Sequence, residues 1–157
     1  MKFNTTASYS SLPKELFSKV HPDKTNNPKM VYWNEALARN LNLTKQDSVK
    51  LINALSNRKN SDQLNALAQA YAGHQFGHFN ILGDGRAALL GEQISTDGNR
   101  VDIQLKGSGR TPYSRGGDGK ATLYSMLREH LIAEAMHALR VPSSRSLAVI
   151  RTGDQVL

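Results

Sequence analysis

Lys106 closes an alternating stretch, Asp102-Ile103-Gln104-Leu105-Lys106, and is followed by a glycine-rich loop and an apolar segment carrying Arg128, Glu129 and Glu134. A strand-end lysine with a helix carboxylate further along the chain can hold a nucleotide's phosphates. The carboxylate fixes the ammonium, and the ammonium neutralises phosphate oxygen. A solvated lysine beside two surface glutamates has the same spacing. Periodicity does not choose between Glu129 and Glu134, because the helix is apolar nearly all round. A second constellation, Gly83-Asp84-Gly85-Arg86, lies between two expected strands. Its glycines let backbone amides approach an anion and Arg86 adds charge, although a plain hairpin turn uses the same residue types. The spacing Gly83-x-Gly85-x-x-Ala88 also fits a dinucleotide fingerprint. That motif must open a long helix at once, and here a short strand ends at the Asp97-Gly98 turn, which argues against a Rossmann site.

Two further matches carry less. His74 and His78 have the spacing of a helical metal pair, but Gly73 and Gly77 oppose a helix there and no third ligand lies nearby. A tight turn with backbone-bonded imidazoles accounts for them. Ser56 and Lys59 have the spacing of a serine acyl enzyme, yet sit at a helix end with no partner motif, so that match is set aside.

These groups need elements to position them. Residues 1–33 carry Pro13, Pro22 and Pro28 with little periodicity and read as an extended arm pinned by Phe17, Val20, Met30, Val31, Tyr32 and Trp33. Asn34 can cap a short helix through about Leu41, and Thr44 a second from Lys45 to Leu55, with Asp47 placed as in a capping box. A third helix is expected from about Asp62 to Tyr71. Beyond Gly73 the pattern turns to strands: Ala87 to Ile94, the Asp97-Gly98 turn, then Val101 to Lys106. Residues 107–120 hold five glycines, one proline and no aliphatic side chain, a structureless stretch of a kind more often functional than not. A strong helix is expected from about Ala121 to Leu139, largely buried because its apolar residues cover most of its circumference. An apolar run, Leu147 to Ile150, follows Val141-Pro142.

Composition narrows the function classes. The 157 residues contain no cysteine, which excludes a disulfide scaffold, a thiolate metal site and a cysteine nucleophile. No apolar stretch approaches the roughly 18 residues of a membrane span, and residues 1–11 are too polar for a signal peptide, so a cytoplasmic protein without membrane partners is expected. The net charge of +7 suggests nucleic acid, but the excess lies in scattered N-terminal lysines without aromatic interleaving, so no nucleic-acid partner is expected. All 12 glycines lie at or after Gly73, and eight of the ten arginines lie there too. Arginine among glycines suits a planar grip on phosphate beside exposed amides.

The blocks YAGHQFG, LGDGRAALLGE, DIQLKGSGRTPYSRGGDGKA and REHLIAEAMHALRVPSSRSL, in order from Tyr71 to Ile150, resemble the selenoprotein O family, also described as YdiU-like. Agreement is weaker in the arm, at Leu12-Pro13, Asn34 and Leu37-Ala38. The resemblance implies an α+β, protein-kinase-like N-terminal lobe, an antiparallel sheet plus C-helix at 73–157, preceded by a helical N-terminal extension at 1–72. It implies a protein adenylyltransferase that moves AMP from ATP, bound inverted relative to ordinary kinases, onto Ser, Thr or Tyr hydroxyls of target proteins. Carried over by position, Gly83, Gly85 and Arg86 look like nucleotide-loop contacts, Lys106 like the phosphate-binding lysine, and Asp118 and Gly119 like further ATP contacts. Glu129 is similar to the glutamate that orients that lysine. Lys120 stands where an Arg is common, and Arg140 where a Gly usually closes the helix.

A kinase-like site also needs a carboxylate to accept the hydroxyl proton and oxygen ligands for Mg²⁺ or Mn²⁺. No residue after Ile150 matches the family's catalytic Asp or metal ligands. The chain therefore reads as the N-terminal portion of a longer enzyme, with no catalytic or metal residues of its own, the ion's ligands beyond residue 157, and no activity alone. A non-catalytic nucleotide- or partner-binding module and a kinase-type phosphotransferase remain the alternatives.

Overall fold

The computed structural model describes residues 7–56 and 64–156. It is of the α+β class, with antiparallel sheets and few helices. After single 3₁₀ turns at Ser8–Ser11 and Lys14–Leu16, the elements are β1 (Phe17–Lys19), β2 (Lys29–Trp33), α1 (Glu35–Asn40), α2 (Lys45–Ser56), β3 (Leu67–Gln69), β4 (Ala72–Gln75), β5 (His78–Ile81), β6 (Ala87–Ile94), β7 (Arg100–Lys106), α3 (Leu123–Ala138) and β8 (Ala148–Arg151). The main sheet has the order β1-β3-β6-β7, and two smaller two-stranded sheets pair β2 with β8 and β4 with β5. Every pairing is antiparallel.

Strand β6 is the middle of this arrangement, and its residues from Ala88 to Glu92 are all buried. Its two faces meet different partners. Ala88 and Leu90 join Val20, Leu51, Leu55, Leu64, Ala66 and Ala68, which seats α2 on one face, while Leu89 packs with Leu67 and Ala7 on the other. Strand β7 alternates instead, with Val101, Ile103 and Leu105 turned inward, as its sequence pattern predicts. The cap expected at Asn34 forms, and at Thr44 one half of the expected capping box forms, with Asp47 reaching back to it. The Asn34 side chain accepts from Leu37 N at 3.0 Å, and Asp47 Oδ2 accepts from Thr44 N at 3.0 Å and from its hydroxyl at 2.8 Å.

Three expectations are corrected. The helix expected from Asp62 to Tyr71 falls partly outside the described residues, and its described part contains strand β3, with Leu67 and Ala68 buried between β1 and β6. The propensity cost of holding Leu, Ala and Gln extended is tenths of a kcal/mol each, whereas burying Leu67 contributes about 2 kcal/mol, so packing decides. The arm is not simply extended either. Its β1 completes the main sheet and its β2 pairs with β8, with Lys29 opposite Arg151 and Trp33 opposite Ala148, so strands from both sides of Gly73 share sheets. The third concerns α3, expected to be largely buried. None of its residues is, and Leu131 and Ile132 are 67% and 55% exposed. Among the described elements its main neighbour is β8, which covers only one side.

The helix ends as its sequence departure foretells. Arg140 takes φ +58°, its N–H bonds to His137 O at 3.0 Å, and Val141 N bonds to Met136 O at 3.0 Å. This is a Schellman ending with arginine at the position glycine favours. The left-handed conformation costs a side-chain-bearing residue about 1–2 kcal/mol, of which glycine's greater unfolded-state freedom would take back about 0.4–1 kcal/mol. Arg140→Gly is expected to raise unfolding stability by about 0.5–1 kcal/mol. Urea denaturation of the two proteins checks this, and an unchanged or lower midpoint contradicts the reading.

Candidate functional site

The register of β6 against β7 sets the site. Ala87 lies opposite Lys106, and Gly107 N donates to Arg86 O at 2.7 Å, so the turn before β6 and the loop after β7 leave the sheet side by side. Helix α3, capped by Thr122, crosses at this end and presents Glu129. Glu129 Oε2 lies 2.8 Å from Lys106 Nζ, and Oε1 lies 3.9 Å from Arg86 Nη2. One carboxylate thus sits between two cations whose side chains are 45% and 48% exposed. Exposed pairs contribute about 0–1 kcal/mol to stability, so stability does not explain this cluster. With one negative charge for two positive ones, it retains a single positive charge, suited to an anion.

Glu134 has a different partner. Arg145 Nε and Nη2 donate to its two oxygens at 2.7 and 2.6 Å. These bonds hold its carboxyl below the usual carboxylate range, partial burial opposes the effect, and the nearby Asn34 side chain and the Arg145 charge add to it. The pair ties α3 to the chain leading into β8. The geometry therefore separates two glutamates that helical periodicity leaves equivalent.

The glycine-rich stretches are more ordered than their composition implies. Residues 107–120 were expected to be structureless, but a Ser108–Lys120 bridge closes them, with Gly109 N donating to Gly119 O at 3.2 Å. At Gly119, with φ +69°, an added Cβ would collide with the Gly109 carbonyl. The loop is also stitched to residues 83–86. Thr111 Oγ1 donates to Asp84 O at 2.6 Å, Ser114 Oγ donates to Gly85 O at 2.5 Å, and an added Cβ at Gly83 would lie 2.6 Å from the Tyr113 ring. Glycine is required at Gly83 by the chain's own packing. Two amides offered by the sequence as anion donors are also engaged: Asp84 N donates to Gln69 O at 2.9 Å and Gly85 N to Gly83 O at 2.8 Å. The free positive charge here belongs to side chains.

Asp118 Oδ1 accepts from Lys120 N at 2.9 Å, in a local turn that shapes the loop's end. A cleft of about 1360 Å³ runs between β7 and α3 and reaches the chain before β8. Lys106, Lys120 and Glu129 line it, whereas Gly83, Gly85, Arg86, Asp118 and Gly119 do not. His74 and His78 lie on the β4–β5 hairpin, whose turn residues Phe76 and Gly77 have φ of +56° and +79°. His74 stacks edge-on to Phe79 at 5.6 Å. Among the described residues no group of three or more His, Cys, Asp or Glu is placed to hold a metal ion. No described helix is long and apolar enough to cross a membrane. The Ser56–Lys59 pair lies partly outside the described residues.

Sequence reasoning missed Asp84, Thr111, Ser114 and Arg145 as structural partners of the site. An Asp between two glycines signals a turn, but its acceptor role toward a strand 15 residues earlier leaves no local mark.

The sequence model described as "Protein adenylyltransferase SelO" matches residues 1–157. Among curated relatives, "Protein nucleotidyltransferase YdiU" of Brevibacillus brevis is 56% identical over 156 residues, covering 98% of this chain and 32% of the relative. The protein of the same description from Shouchella clausii is 55% identical over 157 residues, covering 99% and 32%. That from Clostridium botulinum strain Alaska E43 is 56% identical, covering 98% and 32%. The chain spans about a third of the length of these relatives.

The Glu134–Arg145 pair yields a pH prediction. A carboxyl whose pKa is lowered by folding stabilises the fold above its unfolded value, about 4.3, and stops doing so as pH falls through the lowered value. Glu134→Gln is expected to lose about 1 kcal/mol at neutral pH. That deficit should shrink to nothing as the pH drops through the carboxylate range. Urea titrations at several pH values measure it, and a pH-independent deficit would show that charge is not the cause.

Proposed function

The chain belongs to the SelO family of protein adenylyltransferases, and on that premise we propose that it supplies the ATP-gripping part of an enzyme that transfers AMP to protein hydroxyls. The observation that carries this reading is the Lys106–Glu129 pair at 2.8 Å with Arg86 on the other carboxylate oxygen. On this reading residues 73–157 form a protein-kinase-like N-terminal lobe, and residues 1–72 wrap and brace it.

The chemistry assigns each group a task. Lys106 neutralises phosphate oxygens, Glu129 keeps its ammonium aimed, and Arg86 adds a planar donor fork when its long contact to Glu129 yields to phosphate. Gly83, Gly85, Asp118 and Gly119 give the two loops the shape that brings these cations to the nucleotide. In AMP transfer a Ser, Thr or Tyr hydroxyl oxygen of a target protein attacks the α-phosphorus, the bond to the β-phosphate oxygen breaks, and pyrophosphate leaves. An inverted ATP presents its α-phosphate to the incoming hydroxyl and places the β- and γ-phosphates deep in the site. Arg110, Arg115 and Lys120 on the 107–120 loop are the further cations available there. The carboxylate that takes the hydroxyl proton, and the ligands for Mg²⁺ or Mn²⁺, belong on this reading to residues outside 1–157. The divalent ion supplies charge neutralisation on the phosphates when bound.

A kinase-type transfer uses the same lysine–glutamate grip and differs in the phosphorus attacked, while a nucleotide- or partner-binding module transfers neither group. Full-length protein incubated with ATP labelled at the α- or the γ-phosphate separates the three. Label from the α-position on protein is the expected result. Label from the γ-position alone means phosphorylation, and neither means a binder. Lys106→Ala in the full-length enzyme is expected to cut α-label transfer by about 10²-fold or more. Glu129→Gln should cut it less, since the lysine charge survives. Full labelling by Lys106→Ala would overturn the assignment.

A further inference from the structure

Among the described residues Asp84 is the buried carboxylate at the root of both glycine-rich loops, and its exposure is 6%. Its hydrogen bonds run to two separate segments, the end of β3 and the 107–120 loop. Oδ2 accepts from Gln69 N at 3.0 Å at the end of β3, while the Asp84 amide donates back to Gln69 O at 2.9 Å. The Tyr71 hydroxyl, at the base of the β4–β5 hairpin, lies near enough to the same carboxylate to favour its charged form. Its carbonyl accepts the Thr111 hydroxyl at 2.6 Å. Among the described residues no cation pairs with this carboxylate, so a charge that is costly to bury is held by the Gln69 amide with the Tyr71 phenol nearby. Burial pushes its pKa up, and the Gln69 bond and the nearby Tyr71 hydroxyl act the other way. Such a group is retained where geometry matters more than solvation.

We propose that Asp84 is a positioning residue that locks residues 83–86 and 107–120 into one phosphate-gripping unit. The proposal rests on the nucleotide reading above for its consequence and on the hydrogen bonds alone for its mechanism. Asp84 does not offer its carboxylate to phosphate, which like charge forbids. It fixes the turn to β3, and through its carbonyl and that of Gly85 the turn holds Thr111 and Ser114, hence the whole second loop. Arg86, two residues on, then has a fixed origin beside Gly107 and Lys106. The phosphate donors are thereby assembled before nucleotide arrives, which spares the ordering cost at binding.

The test uses the full-length protein with three variants. Asp84→Ala removes the acceptor for Gln69 N–H. Asp84→Asn keeps an oxygen there and tests rescue. Thr111→Val cuts the cross-loop bond, together with the Tyr113 N–H bond to the same oxygen, with the shape retained, and carries the test if Asp84→Ala fails to fold. Amide hydrogen exchange is followed over residues 82–86 and 109–117, alongside ATP affinity by calorimetry and the thermal midpoint. Asp84→Ala and Thr111→Val are expected to speed exchange in both windows together and to weaken ATP at least about tenfold, the scale of leaving one buried hydrogen-bond partner unsatisfied. Asp84→Asn should stay near the parent in both readouts. Faster exchange confined to one window, or a lowered midpoint with unchanged ATP affinity in folded protein, overturns the proposal. If the parent itself binds no ATP, the nucleotide reading fails, and the paired exchange response still decides whether Asp84 couples the loops.

Discussion

The site depends on one rung of the sheet, the pairing of Ala87 with Lys106. Antiparallel register makes the residue before one and the residue after the other neighbours, so Arg86 and Gly107 leave the sheet together. Everything charged at this end follows. A slip of one residue would turn Lys106 to the opposite face and leave Glu129 with Arg86 only. The burial of β6 from Ala88 to Glu92 guards against that slip, because moving it would carry Leu89 and Leu90 into the wrong cores.

Helix α3 shows the complementary case, an element positioned chiefly by charge. It buries none of its residues, yet Lys106 holds it at Glu129 and Arg145 holds it at Glu134, with the Tyr32 ring tilted against His130 at 4.0 Å. Polar ties specify direction and distance more sharply than apolar contact does. The bidentate Arg145 pair in particular fixes how far along its axis the helix sits, and so where Glu129 meets the lysine. A helix held this way can shift at lower cost than one buried in a core, while still presenting one defined carboxylate.

The glycine-rich segments carry a similar lesson about order. Composition suggests slack, but hydroxyl-to-carbonyl bonds from Thr111 and Ser114 and the closed Ser108–Lys120 bridge make the two loops a single piece. Gly83 is bare because Tyr113 fills the space its side chain would take, and Gly119 because the Gly109 carbonyl does. These residues serve the site through packing, which leaves the free positive charge at this end to the side chains of Lys106, Arg86 and the loop cations.

Local rules in the sequence determined much of this protein: the cap at Asn34, the return of Asp47 to Thr44, the strands at Ala87–Ile94 and Arg100–Lys106, the helix opened by Thr122, and the left-handed stop at Arg140. Each depends on neighbours within a few residues. The family membership was likewise legible, because its motifs are long and ordered along the chain. Strands β1, β2, β3 and β8 were not legible as strands, since three to five residues carry too little periodicity and form only when a partner strand arrives. The choice between Glu129 and Glu134 was open for a related reason: an all-round apolar helix has no marked face, so only the placement of Lys106 and Arg145 in space could assign each carboxylate its cation.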